Sequence, residues 1–413
     1  MRILIFSQYF WPENFRVNDL VRALKQRGHE VTVLTGEPNY PEGRIYSEYA
    51  ASPSRFSRFE GSDVFRVPLM PRGNGSARLV LNYLSFVLSA GVAAPWKLRG
   101  REFDAIFVYQ PSPITTCLPA ISLGYIKGAP VILWTLDLWP ETLQALGVVR
   151  SPQLLAAVGS MVRFIYRHCA LVLGQSRACE ANVGRYAGST TKYRYFPQWA
   201  EEMFDERGAL CEMAPEVQPF ADSFNVMFAG NIGDAQDFPA ILAAAAQLKS
   251  DARIRWLIVG DGRSADSVRS DIIAMGLQDR VVMLGRYPLD RMPSFFAAAG
   301  AMLVSLKRDP IFAMTIPGKV QAYLASGRPI VGMLDGEGGR VIEESGAGLV
   351  SEAGDSAGLA HAVCQLADMS ATDRAAMGSR GREYATKEFG RDRLLSQLEE
   401  FMKEVCSPNK FST

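Results

Sequence analysis

The feature that most constrains the fold is an alternation of short apolar runs with helical patterns. In the first half the runs lie at 2–7, 30–35, 104–110, 130–137 and 170–175. Each run is continuously apolar, as in parallel strands buried on both faces, and does not alternate with polar residues. The segments between them have helical periodicity, such as 17–28, where Gly28 fits a helix end. Right-handed crossovers then predict a doubly wound parallel sheet.

The same alternation returns after an acidic, proline-containing break. Apolar runs follow at 224–230, 254–260, 280–285, 301–306 and 329–334. We predict an α/β protein of two doubly wound domains facing across a cleft. The first domain comprises 1–200 together with a helix that returns at about 389–413. Residues 201–222 form the linker, and the second domain comprises 223–388. Ligands of such sheets bind beyond the carboxyl ends of the strands.

Composition excludes some classes of function. Hydrophobic residues are 48% and charged residues 21% of the chain, which is typical of globular proteins. A net charge of +1 argues against a broad nucleic-acid-binding face. Six Cys without a Cys-x-x-Cys pair indicate a reducing cytosol, and the N-terminus indicates a buried strand instead of a signal peptide.

The segment 78–101 comes nearest to a membrane span but is interrupted by polar residues. It ends in a cluster of aromatic and basic side chains: Trp96, Lys97, Arg99 and Arg101. One interpretation is a buried helix with a solvated end. The other is a helix lying on an anionic membrane surface, with its Trp and cations among the headgroups.

The sequence disfavours dehydrogenases and P-loop enzymes, because G-x-G-x-x-G is absent after the first strand and no P-loop motif occurs. Three segments of the second half could nevertheless hold an anion. "FAGNIGDAQDF" (228–238) and "VGDGRS" (259–264) each place glycines after a strand, where backbone N–H groups can hold phosphate. The residues concerned are Gly230, Asn231, Gly233, Gly260, Gly262 and Arg263.

The third segment is "IPGKVQAYLASG", 316–327. Pro317 and Gly318 precede a helix, and Lys319 falls in its first turn. A cation there opposes the helix dipole, so we expect Lys319 to meet an anion. A solvent-exposed lysine is the alternative.

Together these segments resemble the retaining glycosyltransferases of family four, which have the GT-B fold. The motifs are "QYFWPENFRVNDLVRALKQRGHEVTVLTGEPNYPEG" (8–43), "FAGNIG", "LIVGDG", "VVMLGRYPLDRMPSFFAAAGAMLVSL" and "IPGKVQAYLASGRPIVG". Within the family, "PNYPEG", "DLWPE" and "GNIGDAQ" are similar to bacterial N-acetyl-L-fucosamine-type transferases of O-antigen and capsule assembly.

The resemblance implies a donor site in the second domain. Gly230, Asn231, Gly233, Arg263, Gly318, Lys319 and Gln321 are expected at the donor diphosphate, and Gly260, Gly262, Gly285, Arg286 and Tyr287 at the nucleoside. The two glutamates of the family signature are replaced by Met314 and Ala322. Without an Asp-x-Asp motif, no metal or other cofactor is expected. In a front-face retaining transfer the departing phosphate can take the acceptor proton, so Lys319 is expected to be catalytic through charge stabilisation.

The first domain is expected to hold the acceptor. Asp137 ends a strand, and we predict that it orients the acceptor or assists as a base; a helix N-cap is the alternative. Further acceptor-binding candidates are Glu13, Asn14, Arg16, Asn39 and Glu141. Arg16 could meet an acceptor phosphate.

The expected reaction moves an amino or deoxy sugar from a nucleotide diphosphate, most simply UDP, to a polyprenyl-diphosphate-linked glycan. The expected location is the cytoplasm, peripheral to the inner face of the cytoplasmic membrane, with no nucleic-acid partner. Two rival interpretations stay open here: a GT-B-fold nucleotide-sugar 2-epimerase, and a non-catalytic nucleotide- or glycan-binding partner.

Overall fold

The computed structural model describes residues 1–73, 75–204 and 211–406, and the chain divides into two compact units. Unit 1 comprises Met1–Phe196 and the chain from Leu395, and unit 2 comprises Pro197–Leu394. The predicted linker, 201–222, is thus part of unit 2. Its residues 205–210, and the last residues 407–413 of the predicted returning segment, lie outside the described residues.

Unit 1 is built on an eight-stranded sheet. Its strands are β1 (Arg2–Phe6), β2 (Glu30–Gly36), β3 (Arg58–Phe59), β4 (Ser62–Val67), β5 (Ala105–Gln110), β6 (Val131–Thr135), β7 (Leu171–Gly174) and β8 (Tyr193–Tyr195). The order is β3-β4-β2-β1-β5-β6-β7-β8. Every neighbouring pair is parallel except β3–β4. The strand order reverses between β1 and β5, which makes this the switch point of the sheet.

Helices cover both faces of this sheet. They are α1 (Arg16–Gln26), α2 (Ser47–Ala51), α3 (Ser76–Lys97), α4 (Cys117–Lys127), α5 (Glu141–Ala145), α6 (Pro152–His168) and α7 (Cys179–Ala187). Because right-handed crossovers run from β4 to β5 and on to β8, they place α3, α4, α6 and α7 on one face. These helices pack side by side, α3 on α4, α4 on α6 and α6 on α7.

Unit 2 has a six-stranded, wholly parallel sheet. Its strands are β9 (Phe224–Ala229), β10 (Ile254–Val259), β11 (Val281–Gly285), β12 (Ala301–Ser305), β13 (Ile330–Met333) and β14 (Gly348–Ser351). The order β11-β10-β9-β12-β13-β14 puts the switch point between β9 and β12. Two doubly wound α/β sheets are therefore present, which confirms the predicted fold class.

The helices of unit 2 begin after most of these strands. They are α8 (Phe238–Gln247), α9 (Ala265–Ala274), α10 (Met292–Phe296), α11 (Pro310–Ala313), α12 (Gly318–Ser326), α13 (Glu337–Glu344), α14 (Ser356–Asp368) and α15 (Ala371–Phe389). The last helix, α16 (Arg391–Cys406), begins in unit 2 and lies mostly in unit 1. The side chains of alternate residues of β9 pack into the core layers on opposite faces of the sheet. Val226 and Phe228 pack with α8 and α9, whereas Met227 and Ala229 pack with α10 and α12.

The last helix, α16, joins unit 1 through charged side chains. Glu399 accepts from Arg27 at 3.2 Å and lies 2.8 Å from His29 Nε2. Glu404 pairs with Arg194 of β8 at 2.8 Å. His29, the histidine of the turn after α1, thus has a structural partner.

The described part of the predicted linker is anchored to the core of unit 2. Phe204 is buried and stacks on Phe296 with ring centroids 5.3 Å apart. Ala214 and Val217 are also buried in the same core layer. These apolar anchors explain why the segment belongs to unit 2 although it lacks periodicity.

Glu13 corrects one acceptor-site prediction. Its carboxylate is 1% exposed and accepts the backbone N–H groups of Phe10, Asn39 and Tyr40 at 2.7–3.1 Å. Burial raises its pKa to about 7, against the effect of these three donors. Glu13 therefore ties the loop after β1 to the loop after β2, and no surface is left for an acceptor.

We predict that Glu13→Ala lowers the free energy of unfolding at pH 6 by about 1–3 kcal/mol, because the buried backbone N–H groups of Phe10, Asn39 and Tyr40 lose their acceptor. Urea denaturation measures this change. The matched control is Glu42→Ala, whose exposed partner is Arg44; it is expected to change stability by less than about 0.5 kcal/mol. Equal stability of Glu13→Ala and the natural protein would contradict this account.

Candidate functional site

The switch point of unit 2 brings the loop after β9 against the start of α12. Lys319, in the first turn of α12, places its Nζ 3.6 Å from the ring centroid of Phe228. A Cβ atom added to Gly230 would lie 3.2 Å from the same Nζ. A residue with a side chain at position 230 would therefore press on the lysine.

Lys319 is a buried amine without a hydrogen-bond acceptor. The residue as a whole is half-buried, but its Nζ is closed off from solvent and unpaired. Burial lowers its pKa to about 7. The ring of Phe228 offers the ammonium form only a cation–π contact. A buried ammonium group without a hydrogen-bond acceptor is the kind of group that an anionic ligand would pair with.

Tyr323 fixes this arrangement from one turn further along α12. Its hydroxyl accepts from the N–H of Ala229 at 2.9 Å and donates to the carbonyl of Ala229 at 3.0 Å. Lys319 and Tyr323 are four residues apart and so share a helix face. The two-way bond holds the end of β9 against α12 and sets the position of Lys319.

The glycines of the two predicted phosphate loops pack on each other. A Cβ on Gly260 would lie 1.9 Å from the carbonyl oxygen of Gly230, and one on Gly262 would lie 2.3 Å from that of Ile232. Gly230 has φ +146° and Gly260 φ +143°, conformations that favour glycine. These glycines therefore serve the close approach of the two loops, whatever else they contact.

Much of the first loop's backbone is already hydrogen-bonded, which corrects the predicted N–H cradle. Gly230 N–H donates to Val259 at 2.9 Å, and Gly233 N–H to the side chain of Gln236 at 3.0 Å. Asn231 is exposed beside them. The open donors lie instead at the start of α12, where no side chain caps the N–H groups of Gly318 and Lys319.

Gln321 and Arg263 also differ from expectation. Gln321 is 1% exposed, and its amide is best oriented with nitrogen toward the carbonyls of Pro317 and Gly318, at 3.0 and 3.1 Å. It supports the start of α12 from inside and does not face a ligand. Arg263 pairs with Asp234 at 2.7 Å, so it is not an unpaired cation.

The nucleoside-binding candidates at the end of β11 differ in how exposed their side chains are. Gly285 has φ +83° and is exposed, as is Arg286 beside it. Tyr287 packs on Phe295 with ring centroids 4.6 Å apart, and Arg291 lies over its ring. Arg286 is thus the freer of the two side chains.

The replaced signature positions have different surroundings. Ala322 lies in the apolar core layer below the sheet, where a carboxylate would be costly, whereas Met314 ends α11 half-buried. The loop before α13 closes over this point, because a Cβ on Gly336 would meet the carbonyl of Ala313 at 2.1 Å. That loop leads into Glu337, which pairs with Arg340 at 3.0 Å.

Unit 1 also gathers polar groups at its switch point. The Asp137 carboxylate accepts from Trp139 Nε1 at 3.0 Å and bonds the side chains of Thr142 and Ser112. Crowded surroundings raise its pKa through desolvation. The N-cap of α5 is Pro140, so the N-cap alternative for Asp137 is wrong.

Arg72 is a cation of this edge that sequence reasoning missed. Its guanidinium lies over the ring of Tyr40, 5.4 Å from the centroid, and interacts electrostatically with Tyr83. Tyr83 bonds Ser112 through its hydroxyl, which connects Arg72 to the surroundings of Asp137. Within the described residues no carboxylate pairs with Arg72.

The other acceptor candidates divide into structural and exposed groups. Asn39 is fully buried and holds Arg72 N–H at 3.1 Å, so it positions the loop. Glu141 binds Arg185 and Tyr186 and joins α5 to α7. Asn14 is exposed, and Arg16 is half-buried at the first position of α1.

Across residues 1–73, 75–204 and 211–406, no group of three or more His, Cys, Asp or Glu side chains is arranged to hold a metal ion. That transfer needs no metal stays a prediction.

Two doubly wound parallel sheets, each with polar groups near its switch point, have the architecture of the GT-B fold, and the comparisons with known proteins agree. Residues 14–199 match the family model "Glycosyl transferase 4-like domain" and residues 223–369 match "Glycosyl transferases group 1". The two matches together span most of the chain, and the chain is a glycosyltransferase.

Relatives are similar over most of the chain. WcaI of Escherichia coli (strain K12), named for colanic acid biosynthesis, is 24% identical over 343 residues, 79% of this chain and 82% of that protein. Anabaena HepE, solved with UDP and glucose, has a TM-score of 0.67 at 17% identity, covering 98% and 99% of the two chains. Sucrose-phosphate synthase of Thermosynechococcus elongatus has a TM-score of 0.70 at 17% identity, covering 98% of each. The structural likenesses show the shared fold.

We predict that Tyr323→Phe lowers the free energy of unfolding by about 1–3 kcal/mol, because the buried N–H of Ala229 loses its acceptor. Urea denaturation is the measurement. Tyr384→Phe is the matched control, since its hydroxyl meets exposed Glu344 at 3.2 Å; its expected change is below about 0.5 kcal/mol. If both variants were equally stable, the Tyr323 bond would not hold β9 to α12.

Proposed function

We propose that this glycosyltransferase moves a sugar from a UDP-linked donor to a lipid-linked glycan with retention of configuration, in the assembly of a surface polysaccharide such as O-antigen or capsule. The observation that carries the donor assignment is the buried, unpaired Nζ of Lys319 beside the open start of α12. HepE, solved with UDP and glucose, supports a nucleotide-sugar donor. The name of WcaI supports a role in polysaccharide synthesis.

Lys319 supplies charge stabilisation to the leaving group. The bond that breaks joins the anomeric carbon to a phosphate oxygen of the donor, and negative charge then develops on the diphosphate. A cation and two helix N–H groups placed there in advance stabilise that charge without reorganising. The departing oxygen takes the proton of the acceptor hydroxyl, which attacks on the same face, so atoms and charge balance without a side-chain base.

Asp137 and Arg72 are proposed to serve the acceptor. Asp137, held by Trp139 and Ser112, orients the attacking hydroxyl, and its raised pKa suits a hydrogen-bond acceptor that assists proton movement. Arg72 has no carboxylate partner in the part of the chain that the structure describes, and its planar guanidinium offers N–H donors in the geometry that matches a phosphate. A polyprenyl-diphosphate-linked glycan carries both a hydroxyl and a diphosphate.

The donor sugar is proposed to be an amino or deoxy sugar of the N-acetyl-L-fucosamine type. Met314 provides an apolar side chain at the signature position expected near the donor sugar, which suits a sugar with one hydroxyl fewer. Glu337, on the loop that covers Ala313, is a carboxylate that could hold the ribose or sugar from another element.

The reaction is tested by incubating the protein with a panel of UDP-sugars and a polyprenyl-diphosphate-sugar acceptor. An extended acceptor, with the anomeric configuration of the donor retained by NMR, supports the proposal. Release of free sugar or an epimer without acceptor extension would indicate the epimerase, and saturable UDP binding without any turnover would overturn the assignment as a transferase acting on this acceptor.

For Lys319 we predict that UDP affinity falls as the pH rises from 7 to 9. The free amine, with a pKa of about 7, is largely neutral at pH 9, whereas the diphosphate binds its charged form, so binding takes up a proton. Calorimetry at pH 8 in two buffers of different ionisation enthalpy measures the uptake.

Lys319→Met should weaken UDP binding about tenfold to a hundredfold and abolish the proton uptake. Lys307→Met is the matched control, because Lys307 is exposed just after β12. Unchanged affinity and uptake in Lys319→Met would show that the diphosphate binds elsewhere.

For the acceptor, we predict that Arg72→Ala raises the acceptor KM at least about tenfold with the donor KM unchanged, because a charge-assisted bond to phosphate is lost. Arg44→Ala, an exposed arginine of the same region, is the control. Asp137→Asn should lower kcat. Steady-state kinetics with each substrate varied in turn is the measurement. A change in the donor KM alone in Arg72→Ala, or the full rate in Asp137→Asn, would contradict these roles.

A further inference from the structure

Exposed large apolar side chains are concentrated on one face of unit 1. Within the described residues, all of them except Ile273 and Met275 lie between residues 70 and 164. Most belong to three neighbouring helices: Val80, Leu81, Leu84, Leu88, Val92 and Trp96 on α3, Tyr125 and Ile126 on α4, and Leu154 and Phe164 on α6. We call this surface the α3–α4–α6 face.

The centre of this face is a row of apolar side chains that winds slowly around α3. Leu84, Leu88, Val92 and Trp96 recur every fourth residue and extend roughly 18 Å along the helix. Leu88 is 70% exposed, Val92 80% and Trp96 68%. A continuous apolar surface of this kind marks an interaction site.

The opposite side of α3 is built into unit 1. Phe86 and Ala90 are fully buried, and Asn82 accepts from Gln8 at 2.7 Å and donates to the Met70 carbonyl at 2.6 Å. By length and composition the segment Arg78–Lys97 could cross a membrane. Crossing would break these buried contacts, whereas lying along a surface keeps them.

The charges of the face have one sign. The helices α3, α4 and α6 contain no Asp or Glu at all, although the chain has 43. Arg101, just beyond α3, pairs with Asp63 at 2.8 Å, and Lys127 of α4 donates to backbone carbonyls. The other exposed or half-buried Lys and Arg side chains of these helices and of the residues just beyond α3 are Arg78, Lys97, Arg99, Arg163 and Arg167. None of these five pairs with a carboxylate in the part of the chain that the structure describes. Arg99 lies over the ring of Trp96, 5.9 Å from its centroid.

We propose that the α3–α4–α6 face docks on the surface of an anionic lipid bilayer, with the apolar row among the acyl boundary and the cations among the headgroups. Aromatic, aliphatic and basic side chains in this arrangement are those of interfacial helices. Charge favours a bilayer over a second copy of the chain, because a two-fold contact would bring the same unpaired cations of two copies together.

This inference deepens the proposed function and rests on it for the source of the acceptor. Tyr83, which bonds Ser112 near Asp137, is carried by α3 itself, next to Leu84 of the apolar row. Docking through α3 therefore brings the proposed acceptor groups of unit 1 to the depth where the diphosphate of a lipid-linked glycan lies.

The test is flotation of the full-length protein with vesicles of phosphatidylcholine alone or mixed with phosphatidylglycerol. We expect binding to the anionic vesicles that weakens at high salt, and release by alkaline carbonate as for a peripheral protein. Leu88→Asp/Val92→Asp should weaken binding at least about tenfold, and Lys97→Ala/Arg99→Ala about fivefold per cation. Ile273→Asp, an exposed apolar residue of unit 2, is the matched control and should bind as the natural protein does.

Several outcomes would overturn the proposal. These are equal binding of Leu88→Asp/Val92→Asp and the natural protein, resistance to carbonate, or a dimer in light scattering that this double variant converts to monomer while vesicles are not bound. Transfer to a short, water-soluble acceptor separates the two claims, since the double variant should keep that rate. If the natural protein bound vesicles but transferred to no acceptor, the docking inference would stand and the proposed function would fail.

Discussion

The arrangement at the switch point of unit 2 depends on one contact, the two-way hydrogen bond between Tyr323 and the end of β9. It saturates both backbone groups of Ala229 and sets the distance between strand and helix. One turn earlier on the same helix face, Lys319 is thereby held against Phe228 and Gly230. Tyr323 thus helps to hold the Lys319 amine in a position where it is shielded from water and has no hydrogen-bond acceptor. This state costs free energy, and an anionic ligand would lower that cost.

Unit 1 is also a doubly wound sheet, but a different set of polar side chains lies near its switch point. Its switch point collects Asp137, Ser112, Tyr83 and Arg72 from separate loops and from α3. The loops are fixed by the buried groups Glu13 and Asn39. The helix that contributes Tyr83 also carries the exposed apolar row. The groups that we propose for the acceptor hydroxyl, the acceptor phosphate and the lipid surface are therefore all in unit 1.

Sequence patterns predicted the buried strands well, because a parallel strand covered on both faces has a continuous apolar signature. The hairpin of β3 and β4 escaped prediction because its residues 58–67 mix charges with apolar residues. The edge strands β8 and β14 escaped because their sequences, YRY and GLVS, are not continuously apolar. Lys319 was found because a cation at a helix start opposes the local dipole. Tyr323, on the same helix, gave no such signal.

Prediction of the acceptor site was weaker because polarity and loop position do not reveal burial. Glu13, Asn39 and Glu141 are polar residues of loops or helix starts, but their partners come from other segments of unit 1. Arg72 escaped for the converse reason. Our proposal for Arg72 depends on its having no carboxylate partner among the described residues, and only the three-dimensional arrangement of the neighbouring loops shows this.

A crystal structure of the protein with UDP tests the central claim most directly. The account predicts a β-phosphate oxygen at about 3 Å from Lys319 Nζ, with further phosphate oxygens at the N–H groups of Gly318 and Lys319. A diphosphate bound elsewhere, with Lys319 still unpaired over the ring of Phe228, would contradict it.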